Sequence, residues 1–117
     1  MSELVYKVAR AAEWDAARKL GVFSGSVDDV RDGFIHLSRA AQLKGTLEKH
    51  FAGEEGLLLV TLDVDGLGPA LKWEASRSGE HFPHLYGPLK LTAVNSAVPI
   101  QRDGDGHPIL PSDITTP

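Results

Sequence analysis

Cysteine is absent from this chain, and no apolar run in it approaches the length of a membrane span. The missing cysteine excludes a disulfide framework, a thiol nucleophile and any zinc or iron–sulfur site built on cysteine ligands. A spanning helix needs about 20 consecutive apolar residues. The first residues, MSELVYKVAR, lack the long apolar core of a signal peptide. We therefore expect a cytoplasmic protein that does not enter a membrane.

Positive charge is also scarce, since 12 Lys and Arg face 16 Asp and Glu for a formal net charge of -4. This balance argues against nucleic-acid binding through a bulk basic face, but it leaves enough cations for a small anion pocket. An apolar fraction of 42% in 117 residues is typical of one globular domain, residues 1–117. The Pro-, Ser- and Thr-rich end, from about residue 108, is expected to be loosely held. Nothing in the sequence identifies a protein partner.

Hydrophobic periodicity and turn residues predict an α+β domain with a strongly bent, mixed β-sheet and two helices in the N-terminal half. The helices are predicted at 11–20 and 39–51, with Ser38 as the N-cap of the second. LLLVTL, residues 57–62, is predicted to be a central strand buried on both faces. Further strands are predicted at 4–9, 33–38, 71–74 and 91–100, and loops at 25–32 and 76–79. The acidic residues of the first loop are expected to be solvated: Asp28, Asp29 and Asp32.

The stretch EHFPHLYGPL, residues 80–89, is the least ordinary part of the chain. Pro83 and Pro88 each remove a backbone donor, which disfavours a helix and makes a regular central strand hard to build. An extended conformation remains, and in it His84 and Tyr86 point to the same side because residues two apart share a face. The sequence therefore predicts a stiff site wall that presents a histidine and a tyrosine.

Three other places offer polar or aromatic site residues. His36 ends a short strand before a predicted helix N-terminus, where a phosphate or a ribose hydroxyl would be favoured, or it is a half-buried histidine bonded to a carbonyl. Trp73 and Glu74 are neighbours on a strand, so only one of them is expected to line a pocket. Lys7 either faces the pocket and supplies a positive charge or is a solvated strand lysine.

Several common sites are not supported by the sequence. His81 and His84 have the spacing of two ligands on a helix, but Pro83 disfavours that helix and no His-Glu-x-x-His pattern exists. No phosphate-binding glycine loop and no G-x-S-x-G nucleophile elbow is present. We expect no dedicated metal site.

GFIHLS, the Trp73-Glu74 pair and FPHLYGPL, in this order and spacing, resemble the small bacterial proteins grouped as domain of unknown function 952. The resemblance covers nearly the whole chain. It implies the ADP-ribosyltransferase fold, a split and bent mixed sheet around a cleft for nicotinamide dinucleotides, without an established activity. It also implies that His36 and Ser38 stand at the nicotinamide end of the cleft. Two departures accompany it: Lys7 replaces a frequent ribose-binding histidine, and no residue matches the catalytic glutamate securely.

Two hypotheses of function follow. The first is an ADP-ribosyl or related nucleotide transferase acting on NAD or a similar nucleotide. In it His84 is the general acid–base beside His36, Ser38 and Tyr86, Lys7 holds a phosphate, and Glu74 is an outside candidate for stabilising positive charge. The second is a binding module that keeps the cleft without the chemistry. A structural role for the histidine–aromatic cluster is the remaining alternative.

Overall fold

The computed structural model describes residues 3–76 and 79–110. Within these residues it contains three α-helices: α1 (Ala11–Leu20), α2 (Val27–Asp32) and α3 (Leu43–His50). The strands are β1 (Leu4–Arg10), β2 (Val22–Phe23), β3 (Ile35–His36), β4 (Leu57–Asp63), β5 (Leu71–Ala75), β6 (His81–Leu85), β7 (Leu89–Lys90), β8 (Val94–Pro99), β9 (Gln101–Arg102) and β10 (Pro108–Ile109). The expected loose end from about residue 108 begins in β10, and its residues 111–117 lie outside the described part of the chain. The predicted loop at 76–79 is likewise described only at its two ends.

The sheet with the longest strands has the order β1-β4-β8, with β4 in the centre. Its side chains Leu57, Leu59, Val60 and Leu62 are buried, and no residue of β4 is exposed, so the predicted central strand is confirmed. Trp14 and Ala17 of α1 pack in one hydrophobic cluster with Val5 and Val60. Leu43 and Leu47 of α3 pack in a second cluster, with Tyr6 and Leu59. The two clusters share β1 and β4 because successive residues of a strand point to opposite faces.

The second sheet has the order β3-β6-β5 and contains the stretch with two prolines. This stretch was expected to disfavour a regular central strand, but β6 is one: it pairs with β3 on one side and with β5 on the other. The N–H of Leu37 donates to the carbonyl of Pro83 at 3.1 Å. A residue's nitrogen and carbonyl point to the same neighbouring strand, so the donor that Pro83 lacks would face β3, whose pairing covers only two residues.

The strand pairs of the described residues are all antiparallel, so the fold is α+β but the predicted mixed sheet was wrong. The helix predicted at 39–51 begins as a 3-10 turn at Ala40–Gln42 and continues as α3. Ser38 is not its N-cap, because its backbone is bridged to Tyr6 and its hydroxyl contacts Thr46. The strand predicted at 91–100 is preceded by a 3-10 turn and begins at Val94.

The segment 25–32 was predicted to be a polar loop, but it contains α2. The Ser26 hydroxyl accepts the N–H of Asp29, and the Asp29 carboxylate accepts the N–H of Ser26. This reciprocal capping box satisfies two backbone donors that a helix start leaves without partners, which stabilises a helix of only six residues. In the described part of the chain, no helix combines the length and the apolar character needed to cross a bilayer.

Candidate functional site

One face of the β3-β6-β5 sheet carries three of the predicted site residues. His36 pairs with His84 across β3 and β6, and Glu74 pairs with Phe82 across β5 and β6. Paired residues and residues two apart share a face, so His36, His84 and Glu74 lie on the same side of the sheet. Trp73 pairs with Pro83 and therefore lies on the other side. The register places Trp73 and Glu74 on opposite faces, as their adjacent positions on one strand predict, and it leaves Trp73 away from His84.

An open cleft lies beside this face, between the β3-β6-β5 sheet, α2 and α3. Its cavity volume is ≈ 180 Å³, so a nucleotide-sized ligand would fill it and extend out through its mouth. His36, Ser38, His84 and Lys7 are among its lining residues. Tyr86, Glu74 and Trp73 are not, so four of the seven predicted site residues meet in the cleft.

Lys7 is buried at the cleft wall, with its ammonium group held by protein atoms. Its Nζ lies 2.8 Å from Oδ2 and 3.1 Å from Oδ1 of Asp29, and it donates to the His36 carbonyl at 3.1 Å. The side chains of Lys7 and Asp29 are 5% and 2% exposed. Lys7 is therefore not a solvated lysine, and its charge is already matched by Asp29. A direct phosphate contact by Lys7 would have to compete with this ion pair.

Burial and pairing act in opposite directions on these two groups. Burial is the largest single influence on Asp29 and favours its neutral form, but the hydrogen bond from His36 and the charge of Lys7 together hold the pKa of Asp29 well below its ordinary value. Burial also lowers the pKa of Lys7, and the charge of Asp29 only partly offsets this effect. Removal of either partner would therefore leave the charge of the other buried without compensation.

His36 is surrounded by acidic groups, which was not expected. Its Nδ1 lies 2.6 Å from Oδ1 of Asp29, and its Nε2 lies 3.0 Å from Oδ2 of Asp32. Its backbone N–H also donates to Asp29. The side chains that reach its ring come from α2, and not from the helix that follows His36 in the chain. Both ring nitrogens are occupied, so His36 is oriented firmly.

His84 has a different environment, with one nitrogen held and the other left open. Its Nδ1 lies 2.8 Å from Oε1 of Glu74, which also accepts the Tyr86 hydroxyl at 2.7 Å. The ring stacks on Phe34 at a centroid distance of 4.0 Å and lies 5.8 Å from the ring of His36. Within residues 3–76 and 79–110, no hydrogen-bond partner is found for its Nε2. The shared contact with Glu74 shows that His84 and Tyr86 lie on one side, as their spacing predicts.

The hydrogen bonds at Glu74 set the protonation state of this cluster. The bonds from Tyr86 and then from His84 lower the pKa of Glu74, since both favour the carboxylate. The same bond raises the pKa of Tyr86, because its neutral hydroxyl is the donor. Near neutral pH the cluster therefore holds an ionised Glu74 and a neutral Tyr86.

Two hydroxyls complete the cleft on the side of α3. The Oγ of Ser38 lies 2.9 Å from Oγ1 of Thr46, and both residues line the cleft. Either hydroxyl can donate to the other, which leaves one proton for a ligand. Ser38 therefore contributes to the site as a hydroxyl group and not as a helix cap.

Sequence reasoning missed the acidic side of the cleft, formed by Asp28, Asp29 and Asp32 of α2. One signal was available: Ser26 followed three residues later by Asp29 is the spacing of a capping box. It predicts the helix that places these carboxylates. The pairing of Asp29 with Lys7 joins residues 22 positions apart, and no local pattern indicates it.

Among the described residues, the one group with metal-ligand geometry is Asp103, Asp105 and His107 in the turn between β9 and β10. All three residues are exposed, and Asp103 accepts the backbone N–H groups of the other two. These hydrogen bonds explain why the three side chains lie close together, as they do in an ordinary turn. None of the three residues lines the cleft.

Comparison with known proteins places the chain in a family. Its residues 8–97 match the family described as "Protein of unknown function (DUF952)". The crystal structure of protein CC0527 from Caulobacter crescentus is 47% identical to this chain, covers 91% of it and 93% of its own chain, and has a TM-score of 0.86. The solution NMR structure of CC0527 is 48% identical, covers 90% of each chain and has a TM-score of 0.81.

A double mutant of CC0527 matches similarly, with 46% identity, 91% and 93% coverage, and a TM-score of 0.86. The comparison with curated proteins finds no match. The matched region contains His36, Ser38, Glu74 and His84. This chain therefore belongs to the DUF952 family of proteins of unknown function.

Proposed function

We propose that the cleft binds NAD or a related nucleotide by its cationic nicotinamide–ribose end, and that His84 is the base for ribosyl transfer. One observation carries the proposal: Glu74 holds Nδ1 of His84, while Nε2 has no partner in the described part of the chain and His84 lines the cleft. Resemblance to the ADP-ribosyltransferase fold supplies the class of ligand. Fold alone does not imply this activity, so the argument depends on the side chains.

The contact with Glu74 selects the form of His84 that can act as a base. An ionised carboxylate only accepts hydrogen bonds, so Nδ1 carries the proton and the lone pair of a neutral ring is on Nε2. Glu74 also stabilises the imidazolium that forms when Nε2 takes up a proton, as the acid of a catalytic triad does. Stacking on Phe34 restricts rotation of the ring.

The charges of the cleft suit a cationic ligand group. Its lining residues include three aspartates against two basic residues, Lys7 and Arg31. The nicotinamide ring of NAD is positively charged, and charge develops on the ribose when the glycosidic bond breaks. An acidic lining favours both states electrostatically. A free phosphate would gain much less in this part of the cleft.

The proposed step is a displacement at the ribose carbon C1′. The oxygen of an acceptor, water or an alcohol, forms a bond to C1′ while the bond from C1′ to the nicotinamide nitrogen breaks. The electron pair of that bond stays on the ring, so nicotinamide leaves uncharged. The acceptor proton passes to Nε2 of His84, and the charges on both sides of the reaction balance.

Release of nicotinamide from NAD tests the catalytic part. We expect the intact protein to release nicotinamide, His84→Ala to lose at least 100-fold in rate, as is usual for a general base (about 10²–10⁴-fold), and Glu74→Gln to lose less. His107→Ala is the matched control, because His107 is an exposed histidine outside the cleft. Equal rates for His84→Ala and the control would contradict the role of His84.

A binding module without turnover is the second candidate, and one observation favours it. Asp29 is fully engaged by Lys7, His36 and the Ser26 N–H, and Asp32 is engaged by Arg31 and His36. Asp28 is paired with Arg31 at 3.1 Å, so each aspartate of α2 in the cleft already has a partner and none is left to contact the reacting ribose. NAD bound intact with no nicotinamide released would support the module and exclude the transferase.

A further inference from the structure

A second cavity of ≈ 260 Å³ adjoins the cleft along α3. Thr46, His50 and Phe82 line both cavities, so these three side chains form their common wall. Gly45, Thr46 and Lys49 of α3 line the second cavity, and Lys49 follows the other two by four and three residues, so it shares a face of the helix with them. A ligand that fills the cleft can extend past this wall onto α3.

The charge of the second cavity differs from that of the cleft. Lys49 has no ion-pair partner among residues 3–76 and 79–110. The carboxylate of Glu80, the acidic residue of this cavity, accepts a hydrogen bond from Gln42 and lies 3.7 Å from the guanidinium of Arg39. Glu80 is therefore already balanced, and the ammonium group of Lys49 remains as the charge that is not matched.

His50 adds a hydrogen-bond donor beside Lys49. Partial burial and then the nearby Lys49 charge lower the pKa of His50 below its ordinary value. Its ring is therefore neutral at pH 7 and can donate from one nitrogen without adding charge. A negatively charged ligand group next to Lys49 would be within reach of both functional groups in the same cavity.

Gly45 is a second, independent indication of a ligand. It lies inside α3, where glycine is unfavourable compared with alanine. Its backbone does not need a positive φ, and a Cβ at this position would meet no atom within 4 Å. Neither conformation nor close packing explains the glycine. Its missing side chain keeps the helix surface open where that surface lines the second cavity.

We propose that the second cavity is an anion site in which Lys49 and His50 bind the phosphate groups of a ligand whose cationic end lies in the cleft. The inference rests on the proposed function and specifies its ligand: a nucleotide with a positive ring and a negative phosphate on opposite sides of Thr46 and Phe82. A nucleoside without phosphate would occupy the cleft alone.

Binding of NAD and of nicotinamide riboside, which has the same ring and ribose but no phosphate, tests the inference. We expect the intact protein to bind NAD about tenfold more tightly than the riboside at low salt, as one charge-assisted contact allows. Lys49→Met should remove most of this difference, and Gly45→Leu should weaken NAD alone by filling the cavity. Lys44→Met, on the same helix but outside both cavities, is the matched control.

The possible results separate the two proposals. Unchanged NAD affinity in both Lys49→Met and Gly45→Leu would overturn the anion site and leave the proposed function standing. Equal loss for NAD and the riboside in Lys49→Met would also overturn it, since the effect would not depend on phosphate. Failure of both ligands to bind the intact protein would overturn the proposed function, and the anion site with it.

Discussion

Lys7 and Asp29 determine how one wall of the cleft is held. Lys7 comes from β1 and Asp29 from α2, and their buried contact at 2.8 Å also orients His36 through Asp29. Removing one partner of such a pair leaves the other charge buried without compensation, which costs far more than losing the pair as a whole. The pair therefore contributes more to fixing the position of His36 than to the net stability of the fold.

Lys7→Met is expected to lower the free energy of unfolding by about 3–5 kcal/mol, because Asp29 would remain charged and buried. The double variant Lys7→Met with Asp29→Asn should recover a large part of this loss. Urea unfolding of the two variants and the intact protein provides the measurement. A double variant as unstable as the sum of its single variants would show that the two residues do not interact.

The lowered pKa of Asp29 predicts a dependence of stability on pH. Below about 3.9, the ordinary value for Asp, the unfolded chain takes up a proton that the folded chain does not. The free energy of unfolding should therefore fall as the pH drops below about 4. Urea unfolding between pH 5 and pH 3 measures the slope. A double variant without Lys7 and Asp29 should lose this part of it, and an unchanged slope would contradict the assignment.

At the scale of elements, α2 is the helix that brings carboxylates to the cleft. Its start depends on the reciprocal bonds between Ser26 and Asp29. We expect Ser26→Ala to cost about 1 kcal/mol in free energy of unfolding, as is usual for loss of an N-cap. Faster amide exchange in α2 than in α3 of the variant would show that the effect is local. Uniform exchange changes throughout the chain would contradict a local cap.

In α3, by contrast, one substitution is expected to raise the free energy of unfolding. Gly45→Ala should raise the free energy of unfolding by about 0.5–1 kcal/mol, because alanine is favoured in a helix and its Cβ has free space. Thermal unfolding of the variant is the measurement. A destabilised variant would show that a close contact, and not the open wall of the second cavity, is the reason for glycine.

The helices and strands differ in how well local sequence patterns predict them. The periodicity of α1 and the apolar run of β4 predict these elements correctly, because their burial follows from residues near one another in sequence. The two prolines suggested an irregular stretch, yet β6 is a central strand. Its pairing with β3 covers only two residues, so it does not need a backbone donor from Pro83. Such compensation depends on a strand 45 or more residues away, and sequence patterns do not reveal it.

At the scale of the molecule, the sequence predicts the class of fold and the family, and the comparisons confirm the family. It also predicts that His36, Ser38 and His84 are important, and the structure places these three residues in one cleft. The acidic lining and the Glu74 partner of His84 depend on how α2 and β5 pack against the sheet. These contacts connect distant parts of the chain, so the sequence identifies the site side chains but not the residues that they contact.

The central claim, that this cleft binds a nucleotide of the NAD type, is tested most directly by titrating the intact protein with NAD and following backbone amide resonances by NMR. The account predicts shifts at His36, Ser38 and His84, together with Lys49 on the adjoining wall, and no comparable shift at His107 in the distant turn. Absence of any shift at these residues with millimolar NAD would contradict it.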